Sequence, residues 1–297
     1  MKTAVLIVNP FASEVTEERV EAVERAIGEV ANLSTLLTER PGHAAELVEA
    51  VDPELDAVFV YSGDGGFNEA VNGASGKVPL GFVPGGATSV LPRALGLPRN
   101  PVAAARRLAA ALARNSTRPI SLGRVNGRRF TFSAGVGLDA EIVRRVDALG
   151  RGRGRRPGDL AFTWAAMRIL LEARGRFEPA LEIAGLGRAA FALVANGPAY
   201  GYAGRLPLRV GPEASFELGL DLVAPVRIRA AMVPRLLKYA LLGRGQTRAA
   251  DVLYAHDRDR IEIVCDRSMP LQADGEDLGD VHTAVFEAER AALSVLV

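Results

Sequence analysis

Asp64 stands between Gly63 and the pair Gly65–Gly66, directly after the apolar run Ala57–Tyr61. Glycines at the carboxyl end of a strand let the backbone turn sharply and let a ligand approach closely. If a helix follows, the exposed amides there can receive a phosphate. The stretch is not a Walker loop, because no Gly-Lys-Ser/Thr follows, and it is not Gly-x-Gly-x-x-Gly. A carboxylate inside such a loop repels phosphates unless a cation or an acidic proton lies between them. That combination points to phosphoryl transfer, with Asp64 meeting magnesium or the acceptor hydroxyl. The competing reading is structural: a tight strand-to-helix turn in which Asp64 is a cap.

Two further stretches share this character. "VNPFAS" (8–13) leaves the first apolar run, and "VPGGATSVLPRALGLP" (83–98) leaves another, with Gly85, Gly86, Thr88 and Ser89 opening a helix. Three strand ends carrying Asn-Pro, Gly-Asp-Gly and Pro-Gly-Gly make one rim, where open parallel sheets bind ligands. Later in the chain "DGED" (274–277) reads by itself as a hairpin turn, since Asp-Gly is a strong hairpin signal. "GVGLDAE" (135–141) reads as a turn into a helix, with Asp139 at its start.

The elements that must position these residues follow from hydrophobic periodicity. Strands are expected at "TAVLIV", "LSTLLT", "DAVFVY" and "PLGFVP". Helices are expected at "TEERVEAVERAIGEVA", "GHAAELVEAV", "GFNEAVNGA", "TSVLPRALG" and "PVAAARRLAAALAR". This alternation implies an α/β domain with a parallel sheet covered on both faces. After about residue 118 the pattern becomes mostly strands: "RRFTFSAGVG", "FALVANG", "LDLVAP", "RIEIVCD", "MPLQAD", "HTAVFEAE" and "AALSVLV". Two helical stretches interrupt them. One places Leu160, Trp164, Met167 and Leu171 on a single stripe, the pattern of a core face; the other is "IRAAMVPRLLKYALLG". The expected domains are 1–119 and 120–289, with the last strand near 290–297 returning to the first.

The chain has 297 residues and a formal net charge of +1, so nothing in its overall charge suggests a nucleic acid partner. Its one cysteine, Cys265, alternates with Ile261 and Ile263 and should face a core; a reducing compartment fits. His43, His256 and His282 are far apart and lack metal-ligand spacing. The first apolar run is too short for a secretory h-region, and no run reaches the ~18 residues of a membrane span. A cytoplasmic protein is expected, either free or peripherally bound to a membrane.

Taken in order, Asn9-Pro10, "SGDGGFNEAVNG", "PGGATSVLPRALGLP", "GVGLDAE" and "ADGE" (273–276) resemble the diacylglycerol kinase and sphingosine kinase catalytic family, closest to its small bacterial members. The likeness runs through nearly the whole chain. Gly-Asp-Gly also occurs in NAD kinases and phosphofructokinases, whereas its continuation into Asn68-Glu69 and Asn72-Gly73 is much more specific to lipid kinases. The resemblance implies a phosphofructokinase/NAD-kinase-like α/β nucleotide domain followed by an antiparallel β-sandwich domain for the lipid. It implies ATP bound by Asn9, Thr38, Ser62, Gly63, Gly65, Gly66, Asn68 and Glu69, with Gly86, Ala87 and Thr88. Asp64 matches the family's essential loop aspartate, and Asp274 and Glu276 match its Asp-Gly-Glu. Asp64 and Glu276 both remain candidates for the proton acceptor, with magnesium neutralising the phosphates.

Some positions depart from the family. Gly66 replaces the usual loop threonine, Ala87-Thr88-Ser89 replaces Thr-x-Asn, Pro92 replaces an alanine, and Ser121 stands where an aspartate is common. Leu218 breaks an Asp-Gly-x-x-Asp near a structural magnesium, leaving Glu217 and Asp221 as shifted candidates. The leading expectation is an ATP- and magnesium-dependent kinase acting on diacylglycerol or a related lipid. The alternatives are an NAD kinase-like enzyme and an inactive nucleotide- or lipid-binding protein. The cluster Arg144, Arg145, Arg151, Arg153, Arg155 and Arg156 reads as a solvated loop or as attraction to anionic headgroups, with the helix after Asp159 at the interface. A homodimer is a family-based expectation.

Overall fold

A computed structural model describes residues 1–150 and 159–297. The chain forms two compact units, Met1–Leu122 with Arg290–Val297, and Gly123–Glu289.

The first unit alternates strands and helices: β1 (Lys2–Val8), α1 (Glu17–Gly28), β2 (Ala31–Leu37), α2 (His43–Glu49), β3 (Ala57–Ser62), α3 (Asp64–Gly73), β4 (Leu80–Pro84), α4 (Val90–Ala94) and α5 (Pro101–Ala113). The strands lie in the order β4-β3-β1-β2, all parallel. Every residue of β3 is buried, as a strand covered on both faces requires. Ala4, Leu6 and Val8 of β1 pack with Val23 and Ile27 of α1 and with Ala104 and Leu108 of α5. Another contact joins α3 to β4, where Phe67 meets Phe82 edge-on at 5.3 Å. Local signals set the helix starts. The Thr16 hydroxyl accepts from Arg19 N at 3.3 Å, and Asn100 Oδ1 accepts from Ala103 N at 2.9 Å ahead of Pro101.

The chain leaves this unit in β5 (Thr117–Val125). The second unit holds β6 (Arg128–Phe130), β7 (Ser133–Val136), α6 (Leu138–Gly150), α7 (Asp159–Glu172), β8 (Arg176–Phe177), β9 (Leu181–Ile183), β10 (Gly187–Ala189), β11 (Ala192–Ala195), β12 (Gly201–Ala203) and β13 (Leu206–Leu208). It continues with β14 (Leu220–Pro225), β15 (Ile228–Arg229), α8 (Val233–Leu242), β16 (Val252–Arg258), β17 (Arg260–Ala273) and β18 (Glu276–Leu296). Its main sheet runs β16-β14-β11-β7-β17-β18 and is antiparallel, with β9 paired to β10 and β17. Cys265 is buried in this core with Ile261 and Ile263, and burial pushes its thiol pKa up. The end of β18 returns to the first unit, where Val295 pairs parallel with Leu80.

Three differences from the sequence pattern have physical causes. The run 128–137 is two strands, because the amides of Thr131, Phe132 and Ser133 bond to a side chain, Asp274, instead of to a neighbouring strand. The last four expected strands merge into β17 and β18, which absorb their irregularities as register shifts near Val264–Met269 and a positive φ at Ala291. The apolar stripe of α7 does not face the core. Trp164, Met167 and Leu171 are exposed, while Ala165 and Ile169 are buried. The side chain of Leu160, the fourth member, lies outside the described residues. Periodicity locates a helix's apolar face but does not say what covers it.

Candidate functional site

In the first unit the parallel register brings the carboxyl ends of four strands to one edge. Val8 is level with Leu37 and Tyr61, and Ser62 is level with Pro84. The residues just past those ends are Asn9, whose amide bonds to Tyr61 O, and Thr38, whose amide bonds to Val8 O. They also include Ser62–Gly66 and Gly85–Thr88. Asn9, Thr38, Ser62, Gly63, Gly65, Gly66, Gly86, Ala87 and Thr88 therefore share one rim. The β3 and β4 loops touch through bare backbone: a Cβ on Gly86 would sit 2.9 Å from Gly63 Cα. Gly85 N donates to Ser62 O at 2.7 Å, and the Ser89 hydroxyl ties Gly86 to itself from both sides.

Asp64 opens α3, with Gly63 before it in extended conformation. Its Oδ1 accepts from Val90 N at 2.6 Å, so one carboxylate begins its own helix and caps α4. The capping reading and the chemical reading meet in the same side chain. The first-turn amides of α3 have no acceptor within the helix, and its dipole favours an anion there. Ser62 is 1% exposed, and its hydroxyl has no hydrogen-bond partner among the described residues. A Cβ on Gly66 would lie 2.1 Å from that hydroxyl oxygen, so the family's threonine has no room here. Asn9 Oδ1 accepts from Phe11 N at 2.9 Å and shapes the Asn-Pro turn.

Two predicted ligand residues are committed to the scaffold. Asn68 is fully buried, and its side-chain and backbone oxygens accept from Asn72 Nδ2. Glu69 Oε2 accepts from Ala44 N at 3.3 Å, in the first turn of α2. Beside Gly86–Ser89 opens a cleft of about 320 Å³, whose other walls include Glu14, Arg19, Arg99 and Asn100. None of these four was marked by the sequence. Arg19 is held by the backbone and carboxylate of Glu14 at 2.7 and 2.8 Å, and Arg99 reaches Ala87 O at 3.3 Å. Both cations come from beyond the glycine motifs, so only tertiary packing reveals them.

In the second unit, Asp274 and Gly275 have φ of 48° and 75° and form the two-residue turn between β17 and β18. Asp274 is 2% exposed. Its Oδ2 accepts from Thr131 N and Oγ1 at 2.7 and 2.9 Å, and its Oδ1 from Phe132 N and Ser133 N at 2.9 and 3.2 Å. This carboxylate is a structural clamp. Glu276, two residues on, is half-buried and pairs with Arg128 at 2.5 Å. Gln272 braces the turn: its Oε1 accepts from Gly275 N at 2.9 Å and its Nε2 donates to Asp139 at 2.5 Å. Tyr200 donates its hydroxyl to the same carboxylate. Burial pushes the Asp139 carboxyl up to about 6, with the Tyr200 and Gln272 hydrogen bonds pulling it back.

The residues proposed for a structural magnesium do not fit one. Asp221 is fully buried, but its Oδ1 meets His256 Nδ1 at 2.8 Å and Asp257 N at 3.1 Å, and its Oδ2 accepts from Tyr254 at 2.9 Å. Burial and two carboxylates hold the Tyr254 hydroxyl well above its ordinary pKa, so it stays a donor. Glu217 is exposed and accepts from Ser215. No metal-binding group of three or more His, Cys, Asp or Glu occurs among the described residues. Two arginines of the basic cluster are likewise engaged: Arg144 with Asp277 and Asp280, and Arg145 with Glu141 and Glu172. Arg151, Arg153, Arg155 and Arg156 lie outside the described residues.

Residues 3–125 match the model of the diacylglycerol kinase catalytic domain, and residues 132–297 match that of the YegS C-terminal NAD kinase beta sandwich-like domain. A diacylglycerol kinase of Bacillus subtilis (strain 168) is 29% identical over 288 residues, 93% of this chain and 90% of that protein. A solved diacylglycerol kinase of Bacillus anthracis strain Sterne superposes with a TM-score of 0.72 at 18% identity, over 99% of this chain and 96% of that one. An NAD kinase of Archaeoglobus fulgidus, solved with ATP, superposes with a TM-score of 0.53 at 13% identity, over 99% and 94%. At such identities the two superpositions speak to the fold alone.

Proposed function

Because this chain belongs to the family that joins a diacylglycerol kinase catalytic domain to a YegS-type β-sandwich domain, we propose that it is a lipid kinase transferring the γ-phosphate of ATP to a hydroxyl of diacylglycerol or a related lipid. The observation that carries the reading is the first unit's rim, where two glycine loops meet backbone to backbone beside Asp64 at the start of α3.

In this reading the amides of Gly65 and Gly66 and the dipole of α3 hold phosphate oxygens. Asn9, Thr38 and the Gly86–Thr88 loop line the nucleotide, with Arg19 and Arg99 at the cleft wall. A magnesium ion arriving with ATP would neutralise the phosphates, with Asp64 as its nearest carboxylate. The acceptor hydroxyl must lose a proton as the phosphoryl group arrives, and Asp64 and Glu276 are the two candidates. Glu276 qualifies only by exchanging Arg128 for the substrate. The chain would work as a peripheral membrane protein. Among the described residues no helix is long and apolar enough to cross a membrane.

The test is radiolabel transfer from γ-labelled ATP, with magnesium and mixed micelles of a total lipid extract, beside Asp64→Asn. Asparagine keeps an oxygen for Val90 N, so the fold should survive while transfer falls at least about a hundredfold. Label in the organic phase, lost in the variant, supports the proposal. ATP binding with no labelled lipid would refute it and favour a soluble acceptor such as NAD, or a non-catalytic role.

A further inference from the structure

α8 is a helix with no buried residue. Leu237, Leu241 and Leu242 are 56%, 46% and 47% exposed, and Leu206 on the adjacent β13 is 64% exposed. At about 100° per residue, positions 234, 237, 238, 241 and 242 fall on one arc of about 140°; all five are exposed. The helix is nonetheless held firmly in place. Arg209 N donates to Ala240 O at 2.7 Å, Arg235 pairs with Asp251, and its guanidinium lies 5.7 Å from the Tyr239 ring centroid. A secured element that presents leucines to solvent needs a covering surface.

Charge identifies the cover. Between Ala224 and Ala250 there is no Asp or Glu, while Arg227, Arg229, Arg235, Lys238, Arg244 and Arg248 are all cationic. Five of these, all but Arg235, are exposed and make no ion pair among the described residues. An exposed leucine arc bordered by unpaired cations suits a surface with anionic headgroups above hydrocarbon. It does not suit a second copy of this chain, because a two-fold pairing would set the same five cations against themselves.

We propose that α8, with Leu206 beside it, docks this chain on anionic lipid bilayers. The proposal rests on the lipid-kinase reading for its purpose but not for its evidence. It differs from the basic cluster near residue 150, whose two described arginines are already paired.

The experiment is co-sedimentation with phosphatidylcholine vesicles, with and without phosphatidylglycerol. Wild type should bind the anionic vesicles and be released by high salt. Lys238→Gln with Arg244→Gln should weaken binding about 25-fold, at about fivefold per charge near the surface. Leu237→Ser with Leu241→Ser should weaken it about tenfold per leucine. All four side chains are exposed, so thermal unfolding should be unchanged. Equal binding to neutral vesicles, or variants that bind like wild type, would overturn the proposal. So would a wild-type dimer in solution that Leu237→Ser makes monomeric. Vesicle binding lost in the variants, in a protein with no phosphotransfer to detergent-dispersed lipid, would sustain the docking surface while removing the kinase reading.

Discussion

Asp274→Asn should destabilise the second unit before it impairs any chemistry. The carboxylate accepts four hydrogen bonds from Thr131, Phe132 and Ser133, none of which is more than 5% exposed. Asparagine fits the same volume but offers one oxygen in place of two. Its best pose turns the amide nitrogen towards Thr131, whose hydroxyl rotates to accept. Thr131 N is then a buried donor without an acceptor, at about 1–3 kcal/mol. The amides of Phe132 and Ser133 keep a neutral acceptor and lose charge assistance, at about 1 kcal/mol together or somewhat more. The sum is about 2 to 4 kcal/mol, or roughly 5–15 °C in Tm for a unit of this size. Circular dichroism melts of wild type and variant, with ATP affinity measured separately, would read this directly. A variant that melts within about 2 °C of wild type yet has lost all transfer would refute the reasoning, and would return Asp274 to the reaction as a participant.

Asp139 should impose a pH signature on stability. Its folded pKa of about 6 lies above the ordinary 3.8, so the native state binds more proton between those values. Its contribution is therefore fully present below about pH 4 and lost as pH rises through about 6. The stability of wild type relative to Asp139→Asn should improve by about 2–3 kcal/mol from pH 7 to pH 4; a pH-independent difference in urea unfolding would contradict the burial argument. Chelation of divalent ions should leave Tm unchanged, because Asp221 is satisfied by Tyr254, His256 and Asp257. A drop of several degrees with EDTA would show that a metal does bind there. Gly86→Ala should push the β4 loop away from Gly63, cost about 1–3 kcal/mol in stability, and weaken ATP binding in titration calorimetry. Unchanged affinity would mean that the contact does not shape the nucleotide site.

Much of this protein was legible in the chain itself. Short continuous apolar runs such as Ala57–Tyr61, bounded by turn residues, fit strands buried on both faces, and their alternation with amphipathic helices leaves few arrangements other than a parallel sheet. The glycine loops, Asp64 and the Asp-Gly turn were visible because they are local: a turn's dihedral demands are met by residues adjacent in sequence. Local pattern cannot report which partner a side chain will meet. Asp274 sits beside a motif glutamate, yet its bonds go to backbone more than 140 residues away, which makes it a clamp. Asp221 matched a metal pattern in type, but β16 supplies Tyr254 and His256 to occupy its oxygens. Trp164 and Met167 had the spacing of a core, and Arg19 and Arg99 the anonymity of surface charge. Which of these faces solvent, a cleft or a carboxylate depends on contacts between residues distant in sequence, and only the folded chain makes those contacts.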